Sequence, residues 1–119
     1  MHSACREALL ACEDAIGPDA TLGDVFSAHA DVLDRAGYRK HRLNACGYGM
    51  GAVYAPVWTD WPMIYEGNPL AFQPDQTYFL HMIVLDFDSR RAMTLGHTVV
   101  VTGTGCERLS RSSLDLVVK

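Results

Sequence analysis

The sequence has no concentration of basic charge and no long apolar run. Lysine and arginine number 10 against 14 aspartate and glutamate residues, which gives a net charge of −4. We therefore expect no surface for nucleic acid or for an anionic membrane. The longest apolar run, Thr77–Leu85, is interrupted by His81 and is too short to span a bilayer.

Signal-peptide and cysteine motifs are also missing. The charged residues Arg6, Glu7, Glu13 and Asp14 interrupt any apolar core of a secretory signal. The 4 cysteines include no CxxC pair and no zinc-finger spacing, so we interpret them as free thiols in a reducing compartment. These features predict a cytoplasmic protein.

The composition is that of an ordered globular domain with 49% hydrophobic and 20% charged residues. Apolar side chains at helical spacing predict a helix over Cys5–Ile16, which ends at Gly17-Pro18. Thr21 is the expected N-cap of a second helix, with Asp24 completing an acidic capping box and Gly37 as the stop. The first third of the chain is thus predicted to hold two helices.

The remainder of the chain is predicted to form strands and loops. Asn44–Val53 is glycine-rich, and glycine allows another part of the backbone to approach closely. Trp58–Pro74 carries prolines and turn signals that predict a loop. β-Branched and aromatic residues predict strands at Thr77–Leu85 and Thr94–Thr102, joined by a polar hairpin at Asp86–Ala92. We therefore predict a single α+β domain over residues 1–119, with two helices packed on an antiparallel sheet.

Histidines on the predicted strands are the first candidate functional residues. His81 lies in an apolar run, and one interpretation is a core histidine with a satisfied hydrogen bond. The alternative is that His81 and His97 act as general acid and base, because imidazole titrates near neutral pH. His41 precedes the glycine-rich segment and is a candidate to orient substrate, whereas His29 is predicted to pack on the inner face of the second helix.

Aromatic residues and acids surround the glycine-rich segment. The aromatic cluster comprises Tyr48, Tyr54, Trp58, Trp61 and Tyr65. These side chains form either a hydrophobic lid or a wall for a small cationic substrate, which aromatic ring faces attract. Asp60 and Glu66 either complement such a substrate or are simply solvated. Asp86 and Asp88 suggest a metal pair, but turn chemistry explains them more simply.

Three segments in order resemble the pita-bread superfamily of creatinase, aminopeptidases and methionine aminopeptidase. Ala11–Gly37 is similar to the helix pair that precedes the active-site strand of that superfamily. His41–Gly51, HRLNACGYGMG, resembles its H…GHGxG element, and Phe72–Glu107 resembles its LxPGMxFxxEP strand and closing hairpin. The resemblance implies a partial pita-bread fold covering nearly the whole chain.

Shorter motifs resemble the non-peptidase branch of the superfamily, which contains ectoine hydrolases and dimethylsulfoniopropionate lyases. The motifs similar to ectoine hydrolases are GYGMG at Gly47–Gly51, APVWTD at Ala55–Asp60, EGNP at Glu66–Pro69 and FLHMI at Phe79–Ile83. Met93–Leu116 is more similar to the lyases. The resemblance leaves the choice between these two groups open.

The resemblance also implies where metal ligands belong, and this chain departs from that pattern. Tyr48 stands at the place of the histidine ligand, His81 at that of the first glutamate, and Gly96 or His97 at that of the second. The two aspartates are expected on strands before residue 1. We therefore expect no metal in the isolated chain, and zinc, iron or manganese in a full-length relative.

Three functional hypotheses follow. The first is a fragment or degenerate member of a hydrolase or lyase acting on a small osmolyte-like substrate, inactive as an isolated chain. If such a chain were active, His81 and His97 would be its acid and base groups, and Tyr48 with the Trp58–Trp61 loop would shape its pocket. The second is a catalytically silent half-domain, and the third is a fragment of an Xaa-Pro aminopeptidase. Half of a pseudo-symmetric fold leaves a sheet edge uncovered, which predicts a homodimer or a companion chain carrying the missing strands.

Overall fold

The computed structural model describes residues 1–51, 56–57 and 59–118. Two helices, α1 (His2–Ala15) and α2 (Leu22–Arg35), precede the strands. The strands are β1 (Ala45–Gly49), β2 (Asp60–Tyr65), β3 (Thr77–Asp86), β4 (Arg91–Val101) and β5 (Cys106–Arg108). They form one antiparallel sheet in the order β2-β1-β3-β4-β5. The predicted α+β fold of two helices on an antiparallel sheet is confirmed.

The helices begin and end for the local reasons that the sequence indicates. The capping box of α2 is present: the Asp24 amide donates to Thr21 Oγ1 over 3.1 Å, and the Thr21 amide donates to Asp24 Oδ2 over 2.8 Å. Gly37 ends the following turn with a φ of 85°, in the left-handed region that glycine adopts without penalty. α1 starts at His2, three residues before the predicted Cys5. Within the described ranges, neither helix is long and apolar enough to cross a membrane.

Strand β2 is the main departure from the predicted elements, because it lies inside the stretch predicted to be a loop. It pairs with β1, and its other edge has no partner strand among the described residues. Pro62 is tolerated there since an edge strand can leave an amide position unpaired. At the opposite edge, β5 was not predicted as a separate strand, and β4 begins at Arg91 rather than Thr94.

The core lies between the helices and one face of the sheet. Alternate residues of β3 are buried there, namely Tyr78, Leu80, Met82 and Val84. They meet the inner faces of the two helices, where Leu9, Cys12, Val25, Phe26 and Leu33 are buried. The side chains on the opposite face of β3, which include Phe79, His81 and Ile83, are only partly covered. Both described helices thus cover the same face and leave the other one open.

Candidate functional site

An aromatic and imidazole cluster lies on the sheet face turned away from the helices. Tyr48 of β1 pairs with Phe79 of β3, and His81 of β3 pairs with Gly96 of β4. Side chains alternate along a strand, so Leu80, which is buried against the helices, separates Phe79 from His81. Tyr48, Phe79 and His81 therefore share one surface, which is termed the open face below.

A cavity of about 230 Å³ lies on the open face. Its lining residues are Leu43, Ala45, Gly47, Tyr48, Thr59, Met63, His81 and Ile83. The polar side chains among them are one phenol, one imidazole and one hydroxyl, and none of these described residues carries a carboxylate. Such a lining suits a compact apolar group that makes a few directed hydrogen bonds.

His81 is held across the sheet by a neighbouring hydroxyl. Its Nε2 lies 2.7 Å from Thr94 Oγ1, and its ring centroid lies 5.0 Å from that of Phe79. Burial lowers the pKa of His81 below its ordinary value, so the imidazole is neutral at physiological pH. His81 has the hydrogen-bond partner that a structural histidine needs, but its side chain lies on the open face and is only partly buried. A neutral imidazole at this place can donate or accept a hydrogen bond.

His97 occupies the core position instead. It is 0% exposed, pairs with Leu80, and its Nδ1 lies 2.6 Å from Glu13 Oε1 on α1. Glu13 also accepts hydrogen bonds from the Arg108 guanidinium on β5. Burial alone would raise the pKa of Glu13, but the hydrogen bonds from Arg108 and His97 hold it below its ordinary value.

The two histidines predicted to act together as acid and base point to opposite faces of the sheet. His81 and His97 belong to neighbouring rungs of the β3–β4 ladder, so one faces the cavity and the other faces the helices. A single ligand placed on the open face would contact His81 and would be separated from His97 by the sheet itself. The structure therefore does not bring this pair together, and the individual role of each histidine stays a prediction.

His41 lies away from the cavity, at the end of the β3–β4 hairpin. Its Nδ1 is 3.2 Å from the Leu85 carbonyl oxygen and 3.9 Å from Asp86 Oδ1. One ligand atom each from His41, Asp86 and Asp88 lie within 4.8 Å of one another. Asp86 accepts hydrogen bonds from the Ser89 amide and hydroxyl, which confirms the interpretation of Asp86 as a turn residue.

The remaining predicted substrate residues lie around β2 or outside the described ranges. Trp58 and Tyr54 are not among the described residues. Asp60 begins β2 and its Oδ1 accepts a hydrogen bond from the Trp61 amide, while the Trp61 side chain is 73% exposed. Glu66 is exposed in the turn after β2. Of the predicted set, the structure places Tyr48 and His81 together at the cavity, and the substrate roles of the others stay predictions.

The residues at the implied ligand positions do not fit a pair of divalent cations. Tyr48 offers a phenol, His81 an imidazole and Gly96 no side chain at all. His97, the other candidate for the second glutamate position, faces the helices and is committed to Glu13. Two hard cations need several carboxylate oxygens in addition to one imidazole. The described part of the open face therefore cannot supply the donor set of a two-metal centre.

Sequence reasoning missed Phe79 and the apolar cavity residues Ile83 and Met63. Phe79 and Ile83 lie two residues before and after His81, so the period of a strand places all three on one face. That signal was in the sequence. Met63 comes from a strand that the sequence did not indicate, so its contribution to the cavity was not predictable.

The sequence of this chain matches that of a known protein family. The sequence model of the metallopeptidase family M24 matches residues 1–103. The search of curated proteins gave no significant match.

Solved structures share the fold. Dipeptidase PepE from Mycobacterium ulcerans is 27% identical with a TM-score of 0.87, over 97% of this chain and 30% of that one. Prolidase from Pyrococcus furiosus is 18% identical with a TM-score of 0.84, over 94% and 32%. Methionine aminopeptidase from Rickettsia prowazekii is 20% identical with a TM-score of 0.70, over 89% and 49%. This chain thus spans under half the length of each of these proteins.

Proposed function

The chain belongs to the metallopeptidase family M24, and we propose that its open face binds Xaa-Pro peptides without hydrolysing them by a two-metal route. The neighbours support the peptide part of the proposal, since they include a prolidase from Pyrococcus furiosus and an Xaa-Pro dipeptidase from Bacillus anthracis. They favour the Xaa-Pro aminopeptidase alternative over the osmolyte hypothesis. The dimethylsulfoniopropionate lyase and ectoine hydrolase groups gain no support from them.

The observation that carries the proposal is the cavity at Tyr48 and His81. The apolar side chains of Leu43, Met63 and Ile83 line it, and such a surface favours an aliphatic ring or chain over water. The Tyr48 phenol and the neutral His81 imidazole offer hydrogen bonds to a peptide amide or carboxyl group. This chain's own residues are thus suited to binding and orienting a small peptide.

Hydrolysis by the usual route is not proposed for this chain. Cleavage of a peptide bond by a two-metal enzyme needs a metal-activated water and a stabilised oxyanion. The donor set on the described open face does not support that centre, as the positions of Tyr48, His81 and Gly96 show. We therefore propose a binding role for this chain.

Calorimetry with the dipeptide Ala-Pro tests this function. We expect Ala-Pro to bind equally well with EDTA or with Mn²⁺, and to remain intact during the titration. His81→Ala should weaken binding about ten-fold through the loss of one hydrogen bond and its packing. His41→Ala is the matched control, because His41 lies outside the cavity lining. Metal-dependent cleavage of Ala-Pro, or binding unchanged in His81→Ala, would contradict the proposal.

A cytoplasmic location is proposed from the cysteines. The cysteines are free thiols in the structure, and three of them, Cys5, Cys12 and Cys46, are buried. Burial raises the pKa of Cys5 to about 11, which makes its thiol unreactive. Unpaired cysteines at this frequency are typical of a reducing compartment.

A partner for the exposed edge is proposed as a second role. Strand β2 has no partner strand on its outer side in the described sheet, and it carries the exposed side chains Trp61, Met63 and Tyr65. Unpaired edges and exposed apolar side chains favour pairing with another polypeptide. We propose that a second copy, or a companion bearing further M24 strands, covers this edge.

A further inference from the structure

Gly96 on β4 faces the ring of Phe79 at a distance that leaves no room for a side chain. A Cβ atom added at Gly96 would lie 2.4 Å from Phe79 Cζ and 2.9 Å from Phe79 Cε2. The same atom would lie 2.8 Å from the Leu80 carbonyl oxygen. Contacts of this length are far inside the ordinary separation of carbon atoms. Any side chain at position 96 therefore requires the ring to move and the two strands to shift.

The Phe79 ring is itself held from two sides. Its centroid lies 5.6 Å from the Tyr48 ring and 5.0 Å from the His81 ring, with interplanar angles of 51° and 54°. Tilted pairs at such distances stabilise aromatic clusters. Displacing Phe79 thus disturbs both neighbours, so one ring links Tyr48, His81 and Gly96, where Gly96 is one of two candidates for the second glutamate position implied by the resemblance.

We propose that Phe79 determines the specificity of the open face: its ring fills the space in front of Gly96, excludes a carboxylate there and commits the cavity to metal-independent binding. The proposal deepens the proposed function and rests on it only for the identity of the ligand. Its physical consequence is that two features prevent metal binding at this site: the packing of the Phe79 ring against Gly96, and the lack of carboxylate donors. Restoring a glutamate at position 96 alone should therefore fail.

A double-mutant cycle tests the packing directly. Gly96→Ala should lower the melting midpoint by about 5 °C or more in the otherwise unchanged chain. In a Phe79→Ala background the same substitution should cost about half as much, because only the contact with the Leu80 carbonyl remains. An equal loss in both backgrounds, or an unfolded protein in both, would overturn the proposal. A Gly96→Ala chain that folds only with Phe79→Ala would support it.

Metal titration provides the second measurement. The first variant carries Tyr48→His, His81→Glu and Gly96→Glu, and the second adds Phe79→Ala. Both also carry His41→Ala. This substitution removes the imidazole of the group formed by His41, Asp86 and Asp88, whose ligand atoms lie close enough together to hold a cation. Calorimetry with Mn²⁺ should show binding at least about ten-fold tighter in the second variant, since the ring no longer blocks the new carboxylate at position 96 and only the Leu80 carbonyl oxygen still crowds it.

Equal Mn²⁺ affinity of these two variants would contradict the role of Phe79. Wild-type Mn²⁺ binding that disappears with Tyr48→Phe and His81→Ala would also contradict it. Neither measurement uses a peptide. If the chain does not bind Ala-Pro but shows the coupling between Phe79 and Gly96, the proposed function is contradicted and this inference is still supported.

Discussion

A buried histidine without a hydrogen-bond partner at one ring nitrogen makes stability depend on pH. His29 on α2 is 1% exposed, and its Nδ1 has no partner among the described residues. Burial, aided by the nearby positive charge of Arg42, lowers the pKa of His29 from its ordinary 6.5 to about 4. The unfolded chain therefore binds a proton more readily than the folded chain between these two values.

We expect the free energy of unfolding to fall as the pH falls from 6.5 to 4, by about 3 kcal/mol from this group. Above pH 6.5 the imidazole is neutral in both states and contributes no slope. Urea unfolding at several pH values measures the effect. His29→Leu should flatten the curve in this window, and His2→Gln serves as the control. A wild-type slope that persists in His29→Leu would rule this explanation out.

Residue patterns predicted the environment of His29 but not that of His81. The spacing of apolar residues on α2 placed His29 on its inner face, and the burial confirms it. On β3 both faces carry apolar side chains, because Phe79 and Ile83 alternate with Leu80 and Met82. The strand period was therefore evident, whereas the choice of buried face depended on where the helices pack.

At the scale of elements, Glu13 joins three of them through one carboxylate. It lies on α1 and accepts hydrogen bonds from His97 on β4 and Arg108 on β5. The Glu13 side chain is 13% exposed and that of Arg108 is 40% exposed. Removing the Glu13 carboxylate leaves the buried His97 imidazole without this hydrogen-bond partner. Removing the Arg108 guanidinium leaves the more deeply buried pair of Glu13 and His97 intact.

Glu13→Ala should therefore cost about 2 to 3 kcal/mol of unfolding free energy, and Arg108→Ala about 1 kcal/mol or less. Urea midpoints of the two variants provide the comparison. Asp14→Ala is a suitable control, because Asp14 is the exposed acidic neighbour on the same helix. Equal losses in the Glu13 and Arg108 variants would show that the shared carboxylate is not the source of the effect.

Elements with strong local signals were predictable, and those made by pairing were not. The capping box at Thr21 and the hairpin strands depend on contacts that are close in sequence. Strand β2 exists because β1 offers it a ladder of hydrogen bonds, against the prolines and turn residues of its own segment. Its position at the edge explains how it tolerates Pro62.

At the scale of the whole molecule, the uncovered edge predicts association. Sedimentation at micromolar concentration should show self-association, or a stable complex once a companion chain is supplied. Trp61→Glu should weaken either complex by about ten-fold or more, because a charge would be buried beside the partner. Phe87→Glu is the control, since Phe87 is similarly exposed but lies in the turn between β3 and β4. A well-folded monomer that binds no companion would contradict the proposal.

Because both described helices pack on one face of the sheet, the residues of the core and the residues of the cavity lie on opposite faces. Residues that hold the domain together face inward to α1 and α2, and the cavity residues Tyr48 and His81 lie on the other surface of the same sheet. Substitution of an open-face residue other than Gly96 can therefore change the binding surface while the interior stays as it was. A lineage built in this way can lose an ancestral chemistry and keep its architecture.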